Sequence, residues 1–163
     1  MILFGRRPEL IHWDVLDFEN RLASFKNLMI HHSQTADGKV VDTLAIMKYH
    51  IRDKGWDYIG YNLLIERYKG VPRLYYGRFL NMPGAHCRAA DMNKLAVGLC
   101  VVGNFDLAAP DRELWDFTSK VCAEILRKFK WPKGAIIGHR DYEPSKTCPG
   151  NKFDLSALRA CIK

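Results

Sequence analysis

Three short runs of the chain are almost entirely apolar. Residues 27–32 (NLMIHH), 96–103 (AVGLCVVG) and 135–138 (AIIG) contain few polar side chains before their ends. Such runs, bounded by polar or turn residues, are typical of strands that are buried on both faces. We therefore predict three interior strands, two of which deliver a histidine at their carboxyl ends.

A fourth and a fifth strand are predicted as a hairpin. Residues 61–66 (YNLLIE) and 71–76 (VPRLYY) flank a turn that contains Gly70. Pro72 cannot donate a hydrogen bond to a neighbouring strand, so its strand is expected at the edge of the sheet.

Segments with helical spacing separate the strands. Asp42 or Thr43 can cap a helix that runs to Ile51, and residues 111–130 carry apolar side chains at helical spacing. Residues 155–162 predict a short closing helix. Strands interleaved with helices predict a single α/β domain with a mixed central sheet flanked by helices.

The length of 163 residues suits one domain. We assign this domain to residues 27–163 and expect residues 1–26 to form an N-terminal extension packed on it. The apolar run at residues 1–4 is too short for a signal peptide, and its charges follow it rather than precede it. No stretch is long enough to span a membrane. Synthesis in the cytoplasm, without a signal peptide or membrane insertion, is therefore expected.

The net charge of +7 indicates solubility or attraction to a polyanion. Nucleic acid and an anionic cell wall are both candidates on charge alone. No nucleic-acid recognition motif accompanies the charge, so we expect no nucleic-acid partner. The five cysteines are irregularly spaced and make a poor disulfide framework, which favours a reducing compartment.

The clearest chemical signal is the segment 138–150 (GHRDYEPSKTCPG). His139 ends a predicted strand, and Cys148 follows after a polar loop that can fold back towards it. Imidazole nitrogen and thiolate sulfur are both good zinc ligands. On spacing alone, however, a core histidine and a buried thiol are the favoured interpretation of the two residues.

The pair His31-His32 adds a third candidate ligand. Neighbouring strand residues point to opposite faces of a sheet, so only one of the two rings can readily join a site with His139 and Cys148. Three protein ligands with an open position are the arrangement of a catalytic zinc ion.

Five stretches in this order resemble the zinc-dependent N-acetylmuramoyl-L-alanine amidases, a group that includes phage lysozyme-type amidases and the peptidoglycan recognition proteins. Several stretches in the right order are more specific than any one of them. The stretches are 30–33 (IHHS), 55–62 (GWDYIGYN), 84–86 (GAH), 93–105 (NKLAVGLCVVGNF) and 138–150.

The resemblance implies a role for six residues. His31, His139 and Cys148 match the zinc ligands of the family, whereas His32 does not. Tyr61 matches a catalytic tyrosine beside the metal, and Lys146 matches a catalytic lysine of the phage enzymes. His86 matches a groove histidine that contacts substrate. The loop from His139 to Cys148 is slightly longer than in the phage relatives, which leaves the reach of Lys146 open.

The implied activity is zinc-dependent hydrolysis of the amide bond between N-acetylmuramic acid and L-alanine. We expect a monomeric phage or prophage endolysin that acts on the peptidoglycan of the bacterial cell wall. Tyr61 and Cys148 favour this branch over the cytosolic recycling amidases, which more often carry carboxylates at these positions. A non-catalytic peptidoglycan-binding module and a cysteine hydrolase that uses Cys148 are competing hypotheses.

Overall fold

A mixed five-stranded sheet organises the computed structural model, which describes residues 25–35, 42–80 and 82–162. The strand order across the sheet is β3-β2-β4-β1-β5. Three neighbouring pairs are parallel, and the β2–β3 hairpin is antiparallel. The predicted α/β fold with a mixed sheet is confirmed. The strands are β1 (Asn27–His32), β2 (Leu63–Tyr68), β3 (Val71–Tyr76), β4 (Ala96–Val101) and β5 (Ile136–Gly138).

The position of each strand follows from its side chains. β1 and β4 are adjacent in the middle of the sheet, and nearly all of their residues are buried. β3 lies at one edge, as Pro72 predicts, because its missing N–H would interrupt an interior strand.

The described part of the chain contains four α-helices: α1 (Thr43–Lys48), α2 (Met92–Leu95), α3 (Arg112–Phe129) and α4 (Leu155–Cys161). The side chains of Asp42 and Asp111 cap α1 and α3 by accepting hydrogen bonds from backbone N–H groups. The helix predicted up to Ile51 is divided, because α1 passes into one π-helical segment, Tyr49–Asp53. The short α2 was not predicted.

Helices cover both faces of the sheet. The larger hydrophobic cluster joins Leu28 and Ile30 of β1 to the apolar sides of α3 and α4. Met29 faces the other side, where α1 and α2 contribute two smaller clusters. Because side chains alternate along β1, His31 shares the face of Met29, and His32 shares the face of Ile30.

The predicted N-terminal extension lies almost wholly outside the described residues and stays a prediction. Within the described ranges, no helix combines the length and the apolarity needed to cross a membrane.

Candidate metal centre

Two candidate ligands meet because their strands are parallel neighbours. Ile30 of β1 pairs with Gly138, the last residue of β5, so His31 of β1 and His139, which directly follows β5, come next to each other. The centroids of the two imidazole rings are 4.8 Å apart. The carboxyl edge of the sheet therefore brings together the residues that the sequence placed at strand ends.

Cys148 reaches the same place through a loop that is anchored at both ends. The backbone N–H of Arg140 donates to the carbonyl oxygen of Cys148 at 2.8 Å. The Arg140 guanidinium donates to the carbonyl oxygens of Thr147, Gly150 and Phe153. These bonds fold the segment back on itself and leave the thiol beside β1. Arg140 is a structural determinant of the site that sequence reasoning did not single out.

The three donor groups fit a zinc ion. Nδ1 of His31 lies 3.5 Å from Sγ of Cys148, and the ligand atoms of His31, His139 and Cys148 all lie within 4.8 Å of one another. A tetrahedral zinc with ordinary Zn–N and Zn–S bonds would hold such a nitrogen and sulfur about 3.6 Å apart. Nε2 of His139 is buried, and a carboxylate oxygen of Glu143 lies 3.4 Å from it without forming a well-aligned hydrogen bond.

Burial shifts the pKa of His31 and of Cys148 in opposite directions. The pKa of His31 is lowered well below its ordinary value by burial and then by the neighbouring His86 and His139, so the ring is neutral and can act as a ligand. Burial raises the pKa of the Cys148 thiol to about 12, although a hydrogen bond from the backbone of His32 acts to lower it. A thiol so rarely ionised is a poor nucleophile, which weighs against a cysteine hydrolase.

A second group of potential ligands shares His139. Cys87, His139 and Glu143 also offer donor atoms within 4.8 Å of one another. A carboxylate oxygen of Glu143 lies 3.4 Å from Nε2 of His139 and 3.7 Å from Sγ of Cys87. Sequence reasoning missed Cys87 and Glu143, because neither lies at a strand end and only the tertiary fold places them beside His139.

Tyr61 lies next to the predicted ligands. Its ring centroid is 5.3 Å from that of His31. The pKa of Tyr61 is raised well above its ordinary value, first by burial and then by the thiols of Cys100 and Cys148. Its phenol is therefore a neutral hydrogen-bond donor, and it bonds to the side chain of Cys100.

A cleft of about 610 Å³ opens beside His139. Lys146 lines it as an exposed residue, so it stands at the rim rather than among the ligands. The cleft can accept a polar, extended ligand, because its walls mix aromatic, cationic and anionic side chains. They include Trp56, Asp57, Arg78, Arg88, Glu143 and Lys146.

His86 also borders the cleft, but only 8% of its surface is exposed. Nδ1 of His86 lies 3.1 Å from Nε2 of His31, and its Nε2 lies 3.1 Å from the carbonyl oxygen of Ala96. Burial lowers the pKa of His86 to about 4. The hydrogen bond to Ala96 opposes this shift, and the charges of His139 and Arg78 add to it. The predicted substrate contact stays a prediction, and both ring nitrogens already face protein atoms.

The fold and the site together define an α/β protein with a His/His/Cys cluster at the side of a cleft. The chain belongs to the N-acetylmuramoyl-L-alanine amidase family, which it matches over residues 21–151. The predicted family is thereby confirmed.

Curated relatives carry the name of peptidoglycan recognition proteins. Peptidoglycan-recognition protein SC1a of Drosophila melanogaster is 29% identical over 131 residues, which cover 75% of this chain and 66% of the fly protein. Peptidoglycan recognition protein 1 of Bos taurus is 32% identical over 109 residues, which cover 66% of this chain and 55% of the bovine protein. The match thus spans about two thirds of the fly protein and little more than half of the bovine protein.

Solved structures share the fold. The endolysin amidase LysCS of Clostridium intestinale superposes with a TM-score of 0.68 at 24% identity, covering 84% of each chain. Bumblebee PGRP-SA superposes with a TM-score of 0.69 at 26% identity, covering 87% of this chain and 85% of its own. The proteins that this chain resembles thus include both a named amidase and named peptidoglycan recognition proteins.

Proposed function

We propose that this chain is a zinc-dependent amidase that hydrolyses the bond between N-acetylmuramic acid and L-alanine in peptidoglycan. The observation that carries the proposal is the convergence of His31, His139 and Cys148 within 4.8 Å. Two neutral imidazoles and one thiolate suit a catalytic zinc with an open position. When bound, zinc supplies Lewis-acid activation of water and of the scissile carbonyl.

The protein contributes positioning and charge to this reaction. His139 is the proposed ligand that lines the cleft, so it marks where the scissile amide approaches. The Tyr61 phenol donates a hydrogen bond to the oxygen that becomes negative in the transition state, and burial strengthens this bond. Lys146, at the rim, adds a positive charge beside the same oxygen once substrate fills the cleft.

We further propose that the protein acts as a phage or prophage endolysin, as a monomer on the bacterial cell wall. The fold shared with the LysCS endolysin amidase supports this role, as does the presence of both Tyr61 and Cys148. The net charge of +7 favours adsorption to an anionic wall, and that attraction weakens with salt.

Peptidoglycan recognition without cleavage is the second candidate, favoured by the names of the curated relatives. Solubilisation of purified peptidoglycan separates the two functions when it is measured with zinc, after chelation, and after zinc is restored. An amidase loses solubilising activity on chelation and regains it with zinc. A protein that cosediments with peptidoglycan but solubilises none when fully zinc-loaded is a recognition module.

A further inference from the structure

We infer that His86 is a positioning residue that selects the tautomer of His31 and so aims its Nδ1 at the metal. This inference rests on the proposed zinc site, but its first step concerns the protein alone. The resemblance implied a different role, namely contact with substrate. The two roles differ in which atoms His86 needs, and the hydrogen bonds around its ring decide between them.

The carbonyl oxygen of Ala96 fixes the proton on His86, because it lies 3.1 Å from Nε2 of that ring. A carbonyl oxygen can only accept a hydrogen bond, so Nε2 of His86 carries the proton. In a neutral imidazole the other nitrogen is then an acceptor. Nδ1 of His86 therefore presents a lone pair to His31.

The acceptor nitrogen of His86 in turn determines the tautomer of His31. Its Nε2 lies 3.1 Å from Nδ1 of His86 and must donate the proton in that bond. Nδ1 of His31 is then unprotonated, and it is this atom that lies 3.5 Å from Sγ of Cys148. A ligand histidine whose other ring nitrogen donates to a fixed acceptor has its tautomer and orientation set.

The ring of His86 is itself held in place by its surroundings. The side chain of Asn93 accepts hydrogen bonds from the backbone N–H groups of His86 and Cys87, at 2.7 and 2.8 Å. Gly84 and Gly98 leave room for the imidazole, because a Cβ atom at either position would collide with the ring. A side chain fixed in this way suits the orientation of another residue better than the capture of a mobile substrate.

The direct test is the tautomer of His31 in the metal-free protein at neutral pH, read by long-range ¹H–¹⁵N NMR. We expect the Nε2–H form in the parent and a mixture of tautomers in His86→Leu. The Nδ1–H form in the parent would overturn the inference. This measurement uses neither zinc nor substrate, so its outcome is independent of the proposed activity.

Zinc affinity, measured by competition with a chelator, provides the second test. His86→Leu should weaken zinc binding about 10- to 100-fold, the usual effect of removing such a partner. His86→Asn keeps an acceptor near the Nδ1 position and should recover most of the loss. His50→Leu is the matched control: His50 is also a buried histidine, and its Nδ1 accepts from the backbone N–H of Gly60. Its replacement should leave zinc affinity unchanged.

Kinetics distinguish this role from substrate contact. If His86 only touched substrate, both His86 variants would raise KM while zinc affinity and the His31 tautomer stayed as in the parent, and the inference would be wrong. If the Leu variant does not fold, the parent tautomer and the Asn variant still decide the question. A confirmed tautomer in a protein that binds zinc without hydrolysing peptidoglycan would retain the inference and reject only the amidase proposal.

Discussion

Nδ1 of His31 and Sγ of Cys148 lie 3.5 Å apart, although 117 positions separate the two residues in the chain. The first lies on the interior strand β1, and the second lies on a loop that Arg140 ties back. Strand β1 and the folded loop must both be in place before the two groups can meet. Burial keeps the Cys148 thiol protonated when no cation is beside it. Under the proposed function, the pair supplies two of the three ligands of one zinc ion.

Replacement of Cys148 should remove the metal. We expect Cys148→Ala to purify with zinc at background level by elemental analysis, because the thiolate is one of only three proposed ligands. Cys87→Ala is the matched control, since Cys87 belongs to the second ligand group that shares His139. It should keep one zinc per chain. The opposite pattern would assign the metal to Cys87, His139 and Glu143.

The two neighbouring histidines should behave differently. His31→Ala should abolish cleavage of peptidoglycan and zinc binding. His32→Ala should retain zinc and most of the activity, because Nδ1 of His32 accepts a hydrogen bond from the backbone N–H of Phe105 on the opposite face of the sheet. Loss of that acceptor should lower the free energy of unfolding by about 1–3 kcal/mol. Zinc content, activity and chemical denaturation measure the three effects, and a zinc-free, folded His32 variant would show that the wrong ring was chosen.

Tyr61→Phe should separate catalysis from metal binding. The change removes one hydroxyl and keeps the ring that packs 5.3 Å from His31. Turnover should fall on the order of 10²-fold, the scale of a lost oxyanion donor. KM should change less, because the hydrogen bond strengthens in the transition state. Turnover near the parental value in a fully zinc-loaded variant would reduce Tyr61 to a packing residue.

Acid should destabilise the metal-free protein partly through His50. Burial, followed by Arg78 and Lys54, lowers the pKa of His50 in the folded state below its ordinary value of 6.5. The unfolded chain therefore binds a proton at His50 more readily than the folded protein does. The contribution of neutral His50 to the free energy of unfolding is present above pH 6.5 and is lost as the pH falls below that value. His50→Gln should show a shallower fall in unfolding free energy between about pH 6.5 and 5. Equal slopes for parent and variant would contradict this prediction.

Much of the sheet could be predicted because its strands are short, apolar and bounded by turn residues. β1 was predicted with its observed ends, and Pro72 placed β3 at the edge. The approach of His31 to His139 was also accessible, because parallel strands end at one edge of a sheet.

The rest of the site depends on long-range contacts that no local pattern encodes. Arg140 forms its hydrogen bonds to the loop only after the loop has folded back. His86 packs against Gly98 only when β4 is in place. The resemblance implied contact between His86 and substrate, which stays a prediction, and the fold adds that the ring is buried at the border of the cleft. The π-helical end of the first helix and the short α2 likewise carry no strong periodic signal.

Mass spectrometry of purified peptidoglycan after digestion tests the central claim most directly. The zinc-loaded parent should release stem peptides that begin with a free L-alanine amine and leave glycan strands whose N-acetylmuramic acid keeps its lactyl carboxylate. Cys148→Ala, prepared in parallel, should release neither product. Intact muropeptides after digestion by a folded protein that carries one zinc per chain, or cleavage at any other bond, would contradict the account.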